Sequence, residues 1–386
     1  MTAAGPGRGG HPRLDAWARS HADRGDWPGC AFAVGPPGVR PRWHGAAGRL
    51  ALRPAEEPLP GGSGALYDLA SLTKPLVTAA VAARLADLGR IDLDAPLEAL
   101  LPELSGYAGR TPSLASLLAH DAGLPAWAPL YRAATDATPE GVIATIAGLA
   151  PAGRAGEGGP IYSDLGAIVA AIACERATGE RLDALFARLV RAPLGVEPAD
   201  CTFGPIRPAE LARVAPTETG RRREAELAGP PGPREDCVPG PAIPLRGVVH
   251  DGNAAFLGGV AGHAGLFGTA AAVFRLASAC VGALPLFSAS AVNRFLAPRV
   301  TNASDAYTLG FQSAAAPKAP SGGAFGPHAI GHVGFTGASV FVDPERPLVA
   351  VLLTNAVHPD WRDLPIRSWR IAFHDLAAGL ANGTPA

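Results

Sequence analysis

The segment LASLTK at residues 69–74, followed by PLVTAAVAARLADLG at residues 75–89, carries the clearest structural signal in the chain. Its apolar residues follow helical spacing over residues 71–88, and Gly89 provides a helix stop. Pro75 falls in the first turns, where a missing amide donor costs little. The pattern therefore predicts a helix that begins at a serine and carries a lysine one turn later.

The first candidate chemical pair is Ser71 and Lys74. Residues three apart share one face of a helix, so the two side chains can come within hydrogen-bonding reach. Lysine occurs only at Lys74 and Lys318 among 33 Lys and Arg residues, and a desolvated lysine can lose its proton whereas arginine cannot. Lys74 is thus a candidate base for a Ser71 nucleophile. A serine N-cap followed by a surface lysine explains the same spacing.

Tyr162-Ser163-Asp164 is the second candidate motif, and it immediately precedes a helical pattern. A tyrosine hydroxyl that is hydrogen-bonded to Lys74 could relay the proton of the nucleophile to a leaving group. The simpler interpretation is that Ser163 or Asp164 only caps the helix.

His332-Val333-Gly334, followed by Phe335-Thr336-Gly337, is the third motif. Glycine at a strand edge lets a substrate lie against the backbone, where a main-chain amide can donate to an oxyanion. Alone, the glycines indicate only a bulge or a close backbone approach.

The order of the predicted elements indicates the fold class. Apolar and alternating runs predict strands near both ends of the chain, with mainly helical patterns between them: Cys30–Val34, Val39–Trp43, Tyr307–Gln312, His332–Phe335, Ala338–Val342 and Val349–Thr354, with a closing helix at Ile366–Leu380. We therefore predict an α/β (α+β) fold in which an antiparallel sheet is flanked by helices and carries an inserted, mainly helical domain. The predicted parts are a flexible N-terminal tail (1–20), a discontinuous α/β domain (21–84 and 260–386) and a helical domain (85–259).

Composition argues against several function classes. The net charge is -1 and only 17% of residues are charged, so we expect neither a nucleic-acid partner nor a membrane surface. The N-terminus lacks an apolar stretch of signal-peptide length, and five cysteines show no metal-ligand spacing. These features favour buried or free thiols and a cytoplasmic location. We expect no cofactor and no metal; hydrogen bonds that fix a loop explain the polar cluster His250-Asp251-Asn253 better than metal binding.

Taken together, the motifs resemble the serine β-lactamase and penicillin-binding-protein superfamily, and specifically its branch of class C-type β-lactamases and related esterases. The resemblance extends from Pro28-Gly29 to His358-Pro359. Besides the three motifs above, it includes LLAH at 117–120, GLP at 123–125 and GHAGLF at 262–267. It implies a β-lactamase/transpeptidase-like fold.

The resemblance also implies roles for single residues. Ser71 matches the acylated nucleophile, Lys74 the general-base lysine and Tyr162 the tyrosine of the second motif. The backbone amides of Ser71 and Phe335 would form the oxyanion hole, and a donor of this kind contributes about 2.7–4 kcal/mol to transition-state stabilisation. Substrate would also contact Asp164, His332 and Gly334.

The sequence departs from the β-lactam-binding pattern in its second and third motifs. Asp164 stands where such relatives usually carry asparagine, and its charge would tend to keep Lys74 protonated. His332 and Val333 replace a lysine and a hydroxyl-bearing residue that hold the carboxylate of the substrate in those relatives. Because valine cannot donate a hydrogen bond and neutral histidine has no fixed charge, esters become the favoured substrates.

We therefore expect a serine hydrolase that acts on small esters through an acyl-enzyme on Ser71, with acyl transfer to an alcohol left open. A β-lactamase, or an amidase or carboxypeptidase for D-amino-acid substrates, is the alternative within the same chemistry. A non-catalytic binding or sensor protein with the same fold is the alternative from another class. In each case the expected partner is a small molecule, an ester or amide for the enzymes, and the oligomeric state stays open.

Overall fold

The computed structural model describes residues 9–60, 64–229 and 243–381 of the chain. Within these ranges the strands are β1 (Gly29–Gly35), β2 (Trp43–Ala51), β3 (Glu57–Pro58), β4 (Tyr67–Asp68), β5 (Cys201–Phe203), β6 (Leu266–Gly268), β7 (Val300–Thr301), β8 (Ala306–Tyr307), β9 (Gln312–Ser313), β10 (Ile330–Val333), β11 (Ser339–Asp343) and β12 (Leu348–Thr354). Nine of them form one antiparallel sheet in the order β3-β2-β1-β12-β11-β10-β9-β8-β7, and β4-β6-β5 form a small second sheet.

Helices cover the main sheet and fill the middle of the chain. In the described residues the α-helices are α1 (Pro12–Asp23), α2 (Ala80–Asp87), α3 (Leu114–Leu118), α4 (Leu130–Ala133), α5 (Pro139–Ala147), α6 (Asp164–Thr178), α7 (Leu182–Phe186), α8 (Arg222–Ala228), α9 (Gly252–Phe256), α10 (Ala270–Cys280), α11 (Ala289–Leu296) and α12 (Ile366–Ala381). Shorter 3₁₀ segments span Ala70–Leu72, Pro102–Leu104, Tyr107–Gly109 and Pro208–Arg213, and π-helical segments span Lys74–Ala79 and Ala187–Arg191. This architecture confirms the predicted fold class.

Strand β1 is apolar at every position, and β12 at all but its last residue, because both faces of the sheet are buried there. In β1, Phe32 and Val34 pack with α1 and α12, whereas Ala31 and Ala33 join the larger core on the opposite face. The same alternation runs along β12, which pairs antiparallel with β1. Side chains of successive strand residues point to opposite faces, so each strand contributes to two cores at once.

The N-terminal segment corrects one prediction. A flexible tail was expected over residues 1–20, but the structure shows a helix at Pro12–Asp23, whose Leu14 and Ala18 are fully buried. The spacing of four between these two residues places them on one helix face, which packs beside α12 on the sheet. Residues 1–8 lie outside the described part of the chain, and the predicted domain boundaries stay a prediction.

The helix that carries the first motif is less regular than predicted. A 3₁₀ turn (Ala70–Leu72) leads into a π-helical segment (Lys74–Ala79), and α-helical geometry begins only at Ala80. Pro75 lacks an amide hydrogen, so the α-type bond to the carbonyl of Ser71 cannot form. The chain therefore enters the helix through turns of different width, a feature that is frequent near functional sites.

Two predicted strands also differ from the structure. The second strand of the N-terminal hairpin was expected at Val39–Trp43 but begins at Trp43, since Pro41 cannot donate to the strand ladder. The strand expected at Tyr307–Gln312 divides into β8 and β9 because Gly310 takes a left-handed conformation (φ 81°) in the turn between them. Other predicted elements are confirmed within two residues at each end: the strands near 332–335, 338–342 and 349–354, and the closing helix.

Four of the five cysteines lie in the described residues, and each is buried as a free thiol: Cys30, Cys174, Cys201 and Cys280. Cys237 lies outside the described ranges. None of the helices in the described ranges combines the length and apolarity needed to cross a bilayer.

Gly262 provides a test of how tightly the helical region packs. A Cβ at this position would lie 2.1 Å from the carbonyl oxygen of Ala167 and 2.7 Å from the Cβ of Ala171, both on α6. We expect Gly262→Ala to lower the free energy of unfolding by about 1–3 kcal/mol, as overpacking does. Chemical denaturation measures the change.

The matched control is Gly379→Ala in α12, where an added Cβ would meet nothing within 4 Å. This substitution should raise stability by about 0.5–1 kcal/mol, because alanine favours a helix interior over glycine. Equal stability of the two variants would contradict the packing argument for Gly262.

Candidate active site

Ser71 and Lys74 face each other at the start of the helix. The Nζ of Lys74 lies 2.8 Å from the Oγ of Ser71, and Lys74 is only 1% exposed. The carbonyl of His263 accepts a further, longer hydrogen bond from the same Nζ at 3.4 Å. Lys74 is therefore not the surface lysine of the simpler interpretation, and it is held against the serine hydroxyl.

Tyr162 completes the contact around the hydroxyl. Its phenol lies close enough to interact with both Ser71 and Lys74, and the Nζ of Lys74 lies 5.0 Å from the centre of its ring. Burial raises the pKa of Tyr162 above its ordinary value, although the charge of Lys74 opposes the shift. The tyrosine therefore rests as a neutral phenol that can both accept and donate a hydrogen bond.

Asp164 determines the charge state of the lysine. Burial by itself lowers the pKa of Lys74, but the carboxylate of Asp164 and the phenol of Tyr162 outweigh it and raise the pKa. The Oδ1 of Asp164 lies 2.7 Å from Nζ, at the first residue of α6. The resting site thus holds an ammonium–carboxylate pair, as the charge of Asp164 led us to expect.

Ser163 has the capping role that the simpler interpretation of the second motif expected. Ser163 is the N-cap of α6, since its Oγ accepts from the amide of Gly166 at 3.0 Å and donates to the carbonyl of Pro125 at 2.6 Å. This cap fixes the start of the helix, and the neighbouring Tyr162 and Asp164 consequently project toward Lys74.

His120 holds the tyrosine segment from behind. Its carbonyl accepts from the amide of Ile161 at 2.9 Å, and its Nδ1 accepts from the amide of Ser163 at 3.1 Å. Its ring lies 4.6 Å from the ring of Tyr162. Burial lowers the pKa of His120 well below its ordinary value, so the neutral ring can accept the hydrogen bond. His120 is a positioning residue.

The turn before Ser71 is fixed by Asp68. Its carboxylate accepts from the amide of Ala70 at 2.8 Å and from the amide of His250 at 2.8 Å. Ala70 adopts a left-handed conformation (φ 47°), which is unfavourable for a residue with a Cβ. Asp68 therefore holds a strained turn that presents the next residue, Ser71.

The third motif lies directly beside this turn. A Cβ on Gly334 would come within 2.6 Å of the carbonyl oxygen of Leu69, so only glycine permits the strand edge to approach so closely. The guanidinium of Arg370, buried in α12, donates to the carbonyls of Gly334 and Gly337. These contacts fix the turn that carries Phe335, whose amide is the predicted second oxyanion donor.

His332 is buried in β10 and carries no charge at neutral pH. Burial and the nearby Lys74 lower the pKa of His332 to about 3. Its Nδ1–H donates to the carbonyl of Val333 at 2.9 Å. The histidine therefore offers no fixed positive charge to a substrate.

Two cavities meet at Ser71, and Ser71, Tyr162, Asp164 and Phe335 line both of them. The larger cavity has a volume of about 580 Å³ and carries four cationic side chains: Lys318, Arg362, Arg367 and Arg370. The smaller cavity has a volume of about 270 Å³ and is lined mainly by apolar groups, with Arg223, Glu224, Asp251 and His250 as further charged or polar side chains. A substrate acylating Ser71 can place one part in each cavity.

Sequence reasoning missed several of these residues. Arg370 sits in a mainly apolar helix with no motif around it, and Lys318 was given no role in its loop. Glu224 follows an Arg-rich run that reads as a solvated surface. Only the folded chain brings these positions to the cavities.

The polar cluster at His250-Asp251-Asn253 has the hydrogen-bonding role that was expected. Asn253 accepts from the amide of Leu130 at 2.8 Å and donates to the carbonyl of Ala128 at 2.9 Å. Asp251 contacts the Nε2 of His263 at 2.7 Å. Within the described ranges, no group of three or more His, Cys, Asp or Glu side chains is arranged to hold a metal ion.

Comparison with known families agrees with this geometry. The model of the Beta-lactamase family matches residues 14–372, nearly the whole chain. The chain belongs to the Beta-lactamase family. The resemblance read from the three motifs is thereby confirmed.

Among curated members of the Beta-lactamase family and its relatives, the chain is 27% identical to a "Putative D-alanyl-D-alanine carboxypeptidase" of Escherichia coli (strain K12), over 78% of this chain and 72% of the relative. It is 28% identical to an "N-acetylmuramyl-L-alanine amidase" of Bacillus subtilis (strain 168), over 76% of this chain and 68% of the relative. Among solved structures it resembles "EstCE1, a hydrolase with promiscuous acyltransferase activity", with a TM-score of 0.70, 21% identity and coverage of 94% and 97% of the two chains. The last likeness concerns the fold alone.

The ion pair at Asp164 makes a prediction about pH. We expect Asp164→Asn to lower the pKa of Lys74 by about one unit or more. Burial lowers this pKa, and the variant lacks the negative charge of Asp164 that raises it. The unprotonated fraction of a lysine grows as the pH rises through its pKa. As the pH is raised, the rate at which a fluorophosphonate labels Ser71 should therefore begin to increase at a lower pH in this variant than in the wild type.

Labelling rates measured across about pH 6 to 10 test this shift. Asp183→Asn is the control, since Asp183 is an exposed carboxylate that pairs with Arg181 on the surface. Identical pH profiles for wild type and Asp164→Asn would show that Asp164 does not set the charge of Lys74.

Proposed function

We propose that this protein hydrolyses small esters through an acyl-enzyme on Ser71, and that it acts in the cytoplasm. The observation that carries the reaction type is the contact of one hydroxyl with both a buried lysine and a tyrosine. The Oγ of Ser71 lies 2.8 Å from the Nζ of Lys74, and the phenol of Tyr162 adjoins both groups. Such a cluster can remove the proton of the nucleophile and later return it.

The chemical steps follow from the charges of the site. The unprotonated fraction of Lys74 accepts the proton of Ser71 as Oγ bonds to the carbonyl carbon of the ester. The amides of Ser71 and Phe335 stabilise the negative charge that develops on the carbonyl oxygen. The bond to the alcohol then breaks, and Tyr162 passes the proton to the departing oxygen and regains it from Lys74. Water then attacks the carbonyl carbon of the acyl-enzyme in the same way, and the acid is released from Ser71.

The third motif favours esters over β-lactams. His332 is neutral, with its pKa lowered to about 3 by burial and by Lys74, and its Nδ1–H is engaged by the carbonyl of Val333. Val333 has no hydroxyl to donate. The strand edge therefore gives little support to a carboxylate in the position where β-lactam-binding relatives hold it.

The nucleophile is tested by mass spectrometry and ester hydrolysis. Wild type should take up one fluorophosphonate group and hydrolyse a short-chain nitrophenyl ester. Ser71→Ala should lose the label and lower kcat/KM by at least about 1,000-fold, since loss of a serine nucleophile removes the whole covalent route.

Ser290→Ala, at an exposed position of α11, is the control and should behave like wild type. Labelling of Ser71→Ala at the wild-type rate would overturn the assignment of the nucleophile. A wild type that neither reacts with the probe nor cleaves any ester would instead be a binding protein with this fold.

A second candidate function is the hydrolysis of an amide in a substrate that bears a carboxylate. Three exposed or half-buried cations, Lys318, Arg362 and Arg367, line the larger cavity beside Ser71, and arginine is well suited to bind carboxylates. The curated relatives named carboxypeptidase and amidase also favour this candidate.

Three substrates distinguish the two candidates: a nitrophenyl ester, a chromogenic cephalosporin and a short peptide ending in D-alanyl-D-alanine. For the ester hydrolase, we expect kcat/KM for the ester to exceed the values for the cephalosporin and the peptide by at least about 100-fold. A site that offers no partner to the carboxylate of a substrate discriminates against that substrate. Efficient cleavage of the peptide or the cephalosporin, with no ester turnover, would reverse the order of the candidates. The Ser71→Ala variant corrects for uncatalysed hydrolysis.

A further inference from the structure

The two amides of the proposed oxyanion hole belong to segments that are far apart in the sequence. Ser71 lies in the 3₁₀ turn Ala70–Leu72, shortly after β4, whereas Phe335 lies in the turn between β10 and β11. Two donors stabilise one oxyanion only when both point at the same oxygen. The separation of the two amides must therefore be fixed by contacts between the segments, and Asp68 makes such contacts with both.

The carboxylate of Asp68 accepts one hydrogen bond on each oxygen. Its Oδ1 accepts from the amide of Ala70 and its Oδ2 from the amide of His250, both at 2.8 Å. Asp68 is 2% exposed, so a missing partner could not be replaced by bulk water. An asparagine could accept only one of these hydrogen bonds, because its side-chain nitrogen is a donor and would face the other N–H. The two amides together therefore require a carboxylate.

The main-chain carbonyl of Asp68 holds the other segment. It accepts a hydrogen bond from the Oγ of Thr336 at 2.8 Å, and Thr336 directly follows Phe335 and is 1% exposed. On the other side of Phe335, a Cβ on Gly334 would lie 2.6 Å from the carbonyl oxygen of Leu69. The chain on both sides of Phe335 is therefore in contact with the two residues at the end of β4 and just after it.

A third link runs through His250, whose amide is bound by Asp68. The ring of His250 stacks on the ring of Phe335, with the ring centres 5.2 Å apart and the planes at 21°. The Nε2 of the same histidine lies 2.7 Å from the Oε1 of Glu218, a carboxylate without solvent exposure. The histidine is thus fixed by its main chain and by its ring, and it supports the side chain of Phe335, a residue that is 43% exposed.

Strain at Ala70 makes the first segment dependent on Asp68. The φ angle of Ala70 is 47°, in the left-handed region that a residue with a Cβ avoids. Such a conformation persists only where surrounding contacts impose it. The peptide unit between Ala70 and Ser71 carries the first oxyanion donor, so relaxation at Ala70 would turn this N–H away from the oxyanion.

We propose that Asp68 is a positioning residue for the oxyanion hole, and that it fixes the amide of Ser71 relative to the amide of Phe335. Its carboxylate holds the peptide before Ser71, and its carbonyl holds the residue after Phe335. Among the described residues, those that line the two cavities do not include Asp68, so it acts through the two amides. The proposal rests on the proposed function, because an oxyanion hole serves acyl chemistry at Ser71.

A nitrophenyl ester and the matching thionoester, which carries C=S in place of C=O, test this placement on the full chain. With each, the Oγ of Ser71 bonds to the carbonyl or thiocarbonyl carbon, Lys74 takes up the serine proton, and nitrophenolate leaves. Sulfur is larger than oxygen and a weak hydrogen-bond acceptor, so correctly placed amides favour the ester. Both substrates are cleaved by the same folded fraction, so the ratio of their kcat/KM values does not change when some protein unfolds.

The reference is the same rate ratio for hydrolysis by hydroxide without enzyme. The wild-type ratio should exceed the reference by at least about 100-fold, since one oxyanion donor contributes about 100-fold to 1,000-fold. Asp68→Asn should lower the wild-type ratio by at least about 10-fold, as expected when a donor is misplaced and not removed.

Asp343→Asn is the matched control. Asp343 is 1% exposed, and its two oxygens accept from the amides of Gly326 at 2.7 Å and Glu345 at 3.0 Å. It lies at the end of β11 that is remote from the third motif. The control substitution disturbs the same kind of buried carboxylate, so it should lower stability and keep the wild-type ratio.

The hydroxyl of Thr336 provides an independent pair of variants. Thr336→Val removes the hydrogen bond to the carbonyl of Asp68 at nearly constant size and should lower the ratio by about 3-fold to 10-fold, as expected for a lost hydrogen bond. Thr336→Ser keeps the hydroxyl and should stay close to the wild-type ratio. These variants decide the matter where Asp68→Asn does not fold, and equal ratios for the two would then overturn the proposal.

A folded Asp68→Asn variant with the wild-type ratio would overturn the proposal and leave Ser71 as the nucleophile. The same holds for a wild-type ratio that equals the reference, since the amides would then make no oxyanion hole. No cleavage of either substrate by the wild type, together with no fluorophosphonate label on Ser71, would overturn the proposed function and the role of Asp68 with it.

Discussion

A buried ammonium group held between a carboxylate, a phenol and a hydroxyl is the constraint on which this site depends. The Nζ of Lys74 lies 2.7 Å from the Oδ1 of Asp164 and 2.8 Å from the Oγ of Ser71. The side chain of Lys74 is almost completely shielded from water. Burial of an unpaired ammonium would be strongly unfavourable. The pair with Asp164 stabilises the charge, at the expense of the fraction of lysine that can act as a base.

Much of the surrounding structure serves to hold these groups at fixed distances. Asp68 secures the strained turn at Ala70, so that the nucleophile is presented from a position with little freedom. His120 accepts an amide hydrogen on each side of Tyr162 through its carbonyl and its ring. Arg370 reaches from the closing helix to the strand edge. Each contact joins segments that are distant in sequence, so the site exists only once sheet and helical region have packed together.

Charged side chains line both cavities beside Ser71. The larger cavity carries Lys318, Arg362, Arg367 and Arg370 together with the carboxylates of Asp305 and Asp363. The smaller cavity carries Arg223 together with Glu224 and Asp251. The neutral His332 lines the larger cavity and contributes shape and no charge.

Local patterns in the sequence were sufficient for the fold class and for the contact between Ser71 and Lys74. Spacing along one helix determines that Ser71 and Lys74 are neighbours, because residues three apart share a face. The Ser163 cap likewise determines where α6 begins. Strand alternation and apolar runs located the central strands, whereas the helix of residues 12–23 was missed because Gly and Pro at its start resemble a tail.

Only the tertiary structure decided the charge of Lys74, the shape of the cavities and the placement of Arg370 and Glu224 beside them. These properties arise from groups far apart in the chain, such as Asp164 beside Lys74 and Gly252 beside Glu224. A pKa depends on burial and on the charges nearby in space, and neither is encoded in local spacing. The sequence by itself therefore determined which residues can react, and the packing of the chain decided in which protonation state and beside which cavity they stand.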